Sequence, residues 1–308
     1  MNILLLGPTA VGKTELSLQL AEALKAAIIS VDSRQCYKYL DIGTAKPTEA
    51  ELQRAPHYNI SVLEPDEPDN PVEFLYRLEN LDHELQHYPH LIFAGGSTLY
   101  LQSILRPIED MPESNPDHLR QLQKRIESEG IESLFKQLKR VDPEYADRMD
   151  GMNRQRIIRA LDVWMQSGKP FSHFHSDEKI QPDNNTLVIG LKRERQNLIQ
   201  RIHKRVDQMM ETGLVQEVKK LMEMGLSGEE QALQTVGYRE ILDLFNGIYE
   251  QPGDAAERIK INTRRYAKRQ MTWFRRWPFI EWIDLDQNSM DEALELILKK
   301  VATKSNKG

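Results

Sequence analysis

Leu4-Leu5-Leu6-Gly7-Pro8-Thr9-Ala10-Val11-Gly12-Lys13-Thr14 is the stretch on which the reading of this chain turns. Met1 to Leu6 is a short apolar run, the signature of a buried strand. Gly7-x-x-x-x-Gly12-Lys13-Thr14 follows directly, and Leu16, Leu18, Leu20, Ala21 and Leu24 then fall at positions that suit a helix. Strand, glycine loop and helix in that order give a phosphate-loop pattern its physical content. In the loop Gly7, Pro8, Thr9, Ala10, Val11 and Gly12 the glycines let the backbone N–H groups, which Pro8 alone lacks, form a concave cradle for anionic oxygens. The helix N-terminus adds partial positive charge. Lys13 supplies a full charge, and the Thr14 hydroxyl is a ligand for Mg²⁺. The site is expected to hold a diphosphate or a longer polyphosphate.

A second short strand, Ala26 to Val31, ends at Asp32. Strand ends in an open parallel sheet face the ligand crevice, which places Asp32 near the phosphate loop. A turn or helix-capping aspartate is the alternative. Asp32-Ser33-Arg34-Gln35 then leads into the polar loop Asp41-Ile42-Gly43-Thr44-Ala45-Lys46-Pro47. Thr48 and Glu51 have capping-box spacing, and Asn70-Pro71 starts a helix running to about Gln86. A third strand, Leu91 to Ala94, closes in Gly95-Gly96-Ser97-Thr98. In many phosphate-loop ATPases the corresponding strand ends in a metal-holding acid. Glycines and hydroxyls stand there instead, which weakens the ATPase reading and moves the acidic function onto Asp32. An aspartate beside a phosphate cradle can serve as general base.

The texture changes near Glu113. From 115 to 184 the patterns are helical, with candidates at His118–Glu129, Ile131–Arg140 and Gln155–Gln166, the last ended by Gly168 and Pro170. Asn153 caps that third helix, and Arg154, Arg156 and Arg159 share its first turns. They either meet phosphates or solvate a helix whose other face (Ile157, Leu161, Trp164) is core. His173 and His175 lack companion ligands and read as ordinary loop residues. Strand character returns at Thr186 to Leu191 and again at Phe279 to Asp284. Arg193 to Met224 is a long helix or helix pair, Val236 begins another helix, and Ser289 to Glu292 caps the last one. Lys304 to Gly308 reads as a frayed tail.

At 308 residues the prior is two domains. The net charge of −6 argues against a nucleic-acid partner, but the charge is segregated. Arg258, Lys260, Arg264, Arg265, Lys268, Arg269, Arg275 and Arg276 follow one another without an acid between them, after a cap at Asp254 to Glu257. Tyr266, Trp273, Phe274 and Trp277 interleave with them. Cations for phosphates and flat rings for unpaired bases suit RNA. Alternatively the aromatics are core and only the cations show, and a mixture of the two is expected. No apolar run approaches membrane-spanning length, and the phosphate strand leaves no room for a leader peptide. Cys36 is the only cysteine, which fits a packed thiol in a cytoplasmic protein. No feature demands a dimer, and a monomer is expected. Two functions compete: a kinase of a small hydroxyl-bearing substrate, with ATP in the cradle, and a transferase that releases diphosphate and delivers the other fragment to RNA. The basic segment favours the transferase.

The phosphate loop, Asp32-Ser33 with Tyr37, and Asp41-Ile42-Gly43-Thr44-Ala45-Lys46-Pro47 together resemble the tRNA dimethylallyltransferases (isopentenyltransferases). So do Gly95-Gly96-Ser97, Gln155-Arg156-Ile157-Ile158-Arg159-Ala160-Leu161, Val236-Gly237-Tyr238-Arg239 and Lys268-Arg269-Gln270-Met271-Thr272-Trp273. The match runs in order along essentially the whole chain, and it is of the bacterial type, with no zinc-finger tail. The resemblance implies an α/β fold: a P-loop NTPase-like parallel sheet core flanked by helices, built from 1–114 and 185–308, and a helical insertion, 115–184, gripping the tRNA anticodon stem-loop. It implies transfer of a dimethylallyl group from dimethylallyl diphosphate to the exocyclic amine of the adenosine just 3′ of the anticodon. Asp32 would be the base; Lys13, the loop amides and Mg²⁺ on Thr14 would take the charge of the leaving diphosphate. Ser97 stands where the family has a threonine hydroxyl at that diphosphate. tRNA contacts are implied at Asp32, Ser33, Arg34 and Gln35, at Ser97, at Gln155 to Arg159, and at Arg120. Arg265, Lys268 and Arg269 belong to the basic segment proposed to meet RNA.

Overall fold

The apolar run after Met1 forms strand β1 (Asn2–Leu6), buried from Ile3 onward, as a strand covered by helices on both faces must be. The computed structural model describes residues 1–106, 111–174 and 180–305. Five more strands join β1: β2 (Ala27–Val31), β3 (His57–Tyr58), β4 (Leu91–Gly95), β5 (Thr186–Lys192) and β6 (Glu281–Asp284). Their spatial order is β3-β2-β4-β1-β5-β6, and all neighbours are parallel. The register sets Leu6 beside Gly95 and Gly95 beside Val31. The residues that follow, Gly7, Gly96 and Asp32, therefore leave the sheet side by side at its carboxyl edge, where open α/β sheets bind ligands.

The connections are helical: α1 (Lys13–Leu24), α2 (Glu49–Arg54), α3 (Pro71–Asn80), α4 (Asp82–Leu85), α5 (Thr98–Leu105), and then, after β5, α10 (Arg195–Thr212), α11 (Leu214–Glu223), α12 (Tyr238–Phe245), α13 (Pro252–Phe274) and α14 (Met290–Ser305). Alternation along the strands divides the core. Ile3, Leu5, Ile28 and Ile92 face α1 and α14 through Leu16, Leu20, Ala293 and Ile297. Leu4, Leu6, Ile29 and Val31 face α3, α5 and the end of α13 through Phe74, Leu101 and Phe274. A third cluster joins α10 to α13 with Tyr37 and Leu40.

Pro107–Lys179 is a separate compact unit. It contains α6 (Pro116–Glu129), α7 (Ile131–Val141), α8 (Pro143–Asp147) and α9 (Arg154–Ser167), and no strand among its described residues. Its own core includes Leu122, Leu134, Leu138, Ile157 and Leu161. The division falls at 107 and 179, where the sequence pattern placed 115 and 184.

Several element limits differ from the sequence reading for local reasons. Gly213, at φ +106°, separates α10 from α11, so Arg193–Met224 is a pair. Leu81 ends α3, and α4 is a separate turn. The basic helix starts earlier than expected: Pro252 takes the first helical position and Gln251 the cap, so Asp254 to Glu257 lie inside α13. Lys304 and Ser305 belong to α14, and Lys304 Nζ reaches the Thr186 carbonyl. Residues 306–308 of the expected tail lie outside the described residues.

Candidate active site

The phosphate loop is braced through its carbonyls. Lys13, at the start of α1, donates Nζ to Gly7 O and Pro8 O, both at 2.9 Å. Arg201 Nε donates to Ala10 O at 2.8 Å and Arg193 Nε to Val11 O at 3.0 Å. Carbonyls held outward leave N–H groups to converge on an anion. Burial and then the Arg205 guanidinium, opposed by Asp32, together lower the Lys13 ammonium to about 7. Arg205, on α10, is itself pushed down by burial and raised by Asp32. Two desolvated cations with one nearby carboxylate make a field that an anion would complete. Arg205 carries no motif: on the amphipathic helix of the sequence it is one arginine among several, and only the fold brings it to the loop.

The two oxygens of Asp32 have different surroundings. Oδ1 accepts from the backbone N–H of Arg34 at 2.9 Å and of Gln35 at 3.4 Å. Oδ2 has no hydrogen-bond partner among the described residues. The turn reading of Asp32 is thus realised through Oδ1, with Oδ2 left open. Asp32, Thr9, Ser33, Arg34, Arg205 and Tyr266 share the wall of a cavity of about 630 Å³, within the range of small-ligand sites.

Ser97 is 7% exposed. Its Oγ accepts from the Ser33 N–H at 3.0 Å and donates to Ser33 Oγ at 3.4 Å. It holds the Asp32 turn in place. Gly95 must lack a side chain, because a Cβ there would stand 2.0 Å from the Val31 carbonyl.

Gln35 differs from expectation. Its Oε1 accepts from Ser30 Oγ at 2.9 Å, and its Nε2 donates to Thr44 O at 3.3 Å and Ala45 O at 3.1 Å. The carboxamide is committed inside the protein, tying the Asp32 turn to the Asp41–Pro47 loop, and is not displayed to RNA. That loop wraps a carboxylate absent from the sequence reading. Glu217 of α11 accepts from the N–H groups of Asp41, Ile42 and Gly43 at 3.1, 2.7 and 3.1 Å, and from the Tyr238 hydroxyl at 2.6 Å. A Cβ on Gly43 would come within 2.4 Å of the Tyr238 ring. The Asp41–Pro47 and Val236–Arg239 motifs are two sides of one contact.

On α13, Arg265, Lys268 and Arg269 are exposed, and Arg269 lies 5.8 Å from the Tyr266 ring centre and lines the cavity. Phe274 and Trp277 are buried, whereas Trp273 is half-buried under the Arg276 guanidinium at 5.1 Å. Burial thus puts Phe274 and Trp277 in the core and leaves Trp273 partly at the surface. In the helical unit Gln155 and Arg156 are exposed, as is Arg120, which pairs with Asp117. Ile157 is fully buried in that unit's core and Ile158 packs against it, so the Ile157 side chain cannot touch RNA. Arg159 is half-buried and donates to Asp162 at 2.9 Å and to the Pro112 carbonyl within its own unit. Cys36 is buried against Asp69, and burial, then that carboxylate, raises its thiol. His173 lies in a single 3-10 turn; His175 is outside the described residues. Among the described residues no three His, Cys, Asp or Glu side chains cluster as for a metal, and no helix is long and apolar enough to cross a membrane.

The IPP transferase family model matches residues 35–277. The chain is 44% identical over 299 residues to the tRNA dimethylallyltransferase of Clostridioides difficile (strain 630), covering 96% of each. It is 40% identical over 301 residues to the enzyme of the same name from Thermotoga petrophila, again covering 96% of each. The crystal structure of the full-length tRNA isopentenylpyrophosphate transferase from Bacillus halodurans superposes with a TM-score of 0.71 at 34% identity, covering 99% of this chain and 98% of that one. A eukaryotic dimethylallyltransferase acting on tRNA superposes with a TM-score of 0.81 at 28% identity, covering 98% of this chain and 79% of that one. With a braced phosphate loop, a strand-end carboxylate and a cation-bearing helix around one cavity, and these relatives along its whole length, this chain belongs to the IPP transferase family.

Proposed function

We propose that this chain transfers a dimethylallyl group from dimethylallyl diphosphate to the exocyclic N6 amine of a tRNA adenosine, the one 3′-adjacent to the anticodon, and releases diphosphate. The observation that carries this reading is the shared cavity: Thr9 of the phosphate loop, Asp32 and Arg269 of the basic helix all line it. A phosphoryl donor site has no use for exposed RNA-facing cations, and β4 ends in Gly95, Gly96 and Ser97 with no metal-holding acid.

An adenine amine is a weak nucleophile, so position and proton removal both matter. The amine nitrogen forms the new bond to C1 of the dimethylallyl group as the C1–O bond to diphosphate breaks. The amine proton passes to Asp32 Oδ2, the oxygen left open while Oδ1 holds the turn. Charge growing on the departing diphosphate falls to Lys13, Arg205 and the loop N–H groups. The adenine leaves its stack to enter the cavity. Exposed Arg265, Lys268 and Arg269 on α13, with Gln155, Arg156 and Arg120 on the helical unit, meet the anticodon stem-loop. Thr14 is exposed on the first turn of α1. A single hydroxyl, with diphosphate oxygens and waters as the other donors, fits Mg²⁺. When bound, Mg²⁺ would neutralise diphosphate charge.

The test is incubation with unmodified tRNA and radiolabelled dimethylallyl diphosphate, followed by nucleoside analysis. Label is expected on the N6 amine of that adenosine. Label elsewhere or nowhere, or phosphoryl transfer from ATP to a small hydroxyl acceptor, overturns the reading.

A further inference from the structure

Two N–H groups of the phosphate loop are already spent, that of Val11 on the Pro8 carbonyl at 3.3 Å within the loop and that of Thr9 on a side chain from outside it. The Thr9 amide donates to Gln270 Oε1 at 2.9 Å, and Gln270 Nε2 donates to the Gly96 carbonyl at 2.9 Å. Gln270 is 3% exposed. Its carboxamide lies between the loop after β1 and the turn after β4, and a Cβ on Gly96 would stand 2.2 Å from Gln270 Nε2. Only glycine at 96 leaves room for it.

This contact is opposite in sense to the other side-chain contacts on the loop. Lys13, Arg201 and Arg193 hold carbonyls and leave amides to the anion. Gln270 takes an amide and sets a carbonyl oxygen, with its partial negative charge, against the loop. Each lost donor matters, because a hydrogen bond to a charged group contributes about twice that of a neutral one.

We propose that Gln270 is a specificity-determining residue that limits how many phosphoryl groups the loop accepts, matching it to a diphosphate and disfavouring a triphosphate. The proposal rests on the diphosphate reading above and deepens it. A third phosphoryl group brings more negative charge and needs more donors. Here the Thr9 donor is unavailable and an acceptor oxygen faces the space beside it. The loop type usually serves nucleoside triphosphates; Gln270, reaching in from the helix that carries the RNA-facing cations, restricts it to the shorter anion.

The experiment measures, by calorimetry on the full chain, the affinities for inorganic diphosphate and inorganic tripolyphosphate at fixed Mg²⁺. It compares the wild type with Gln270→Met, which keeps volume and frees the Thr9 amide, and with Gln270→Glu, which sets a full charge against it. Taking the ratio of the two anions within each protein cancels any general loosening. The wild type should prefer diphosphate. Gln270→Met should shift the ratio toward tripolyphosphate by roughly tenfold, and Gln270→Glu should shift it the other way. A wild type without that preference, or a ratio unchanged in both variants, overturns the proposal. Failure of the wild type to bind diphosphate overturns the diphosphate reading instead. Thermal melts identify a variant that does not fold, in which case the other variant decides.

Discussion

Asp32→Asn separates the two jobs of this side chain. Oδ1 accepts two backbone N–H groups, at 2.9 and 3.4 Å, and an asparagine oxygen can keep both. The proposed base, Oδ2, becomes an amide nitrogen with no proton affinity to offer. Asp32→Ala removes the base and the turn acceptor together. Loss of a positioned general base costs roughly 10²–10⁴ in rate, which is about 3–5 kcal/mol of barrier. Loss of the turn acceptor costs about 1–2 kcal/mol of stability, discounted because the turn is half exposed. Both variants should therefore lose transfer to a similar extent, but only the alanine should melt earlier. Single-turnover transfer of labelled dimethylallyl to tRNA measures the first quantity, and thermal melts measure the second. Filter binding should find tRNA affinity retained. An asparagine variant that transfers at a near wild-type rate would refute the assignment of Oδ2 as proton acceptor.

Charge reversal at exposed Arg265 and Lys268 (Arg265→Glu with Lys268→Glu) should weaken tRNA binding and flatten its dependence on salt by about two counterions; an unchanged slope would place α13 off the RNA interface. Lys13 should couple diphosphate binding to protons. Burial holds its folded-state pKa near about 7, so above that pH the site must take up a proton to bind an anion. Affinity should fall as pH rises through that value, and calorimetry at pH 8 in buffers of different ionisation heat should show more proton uptake by wild type than by Lys13→Met. Equal uptake would refute it. Glu217→Ala should cost about 3 kcal/mol or more in chemical denaturation, because three backbone N–H groups and the Tyr238 hydroxyl lose their acceptor; a loss below about 1 kcal/mol would mean that water replaces the carboxylate.

What could be read from the chain was local. The β1–loop–α1 unit, the strand ending in Asp32, the glycine turn after β4 and the caps at Thr48, Asn70 and Asn153 are each written within a few residues. Short-range backbone geometry and periodic burial determine them. The parallel sheet and the helical insertion follow from their order. Tertiary structure alone decided which polar groups are spent and which are open. Gln270 meets Thr9 across 261 positions, and Glu217 meets Asp41 across 176. Arg205 reaches the phosphate loop only through the packing of α10. Gln35 and Arg159, polar residues in motifs that promised contact with RNA, hold bonds within their own chain, and Ile157 is core. A residue's type states what it can bind. Whether it is free to bind depends on partners brought in from far along the chain, and those are settled only when the sheet, its register and its covering helices close together.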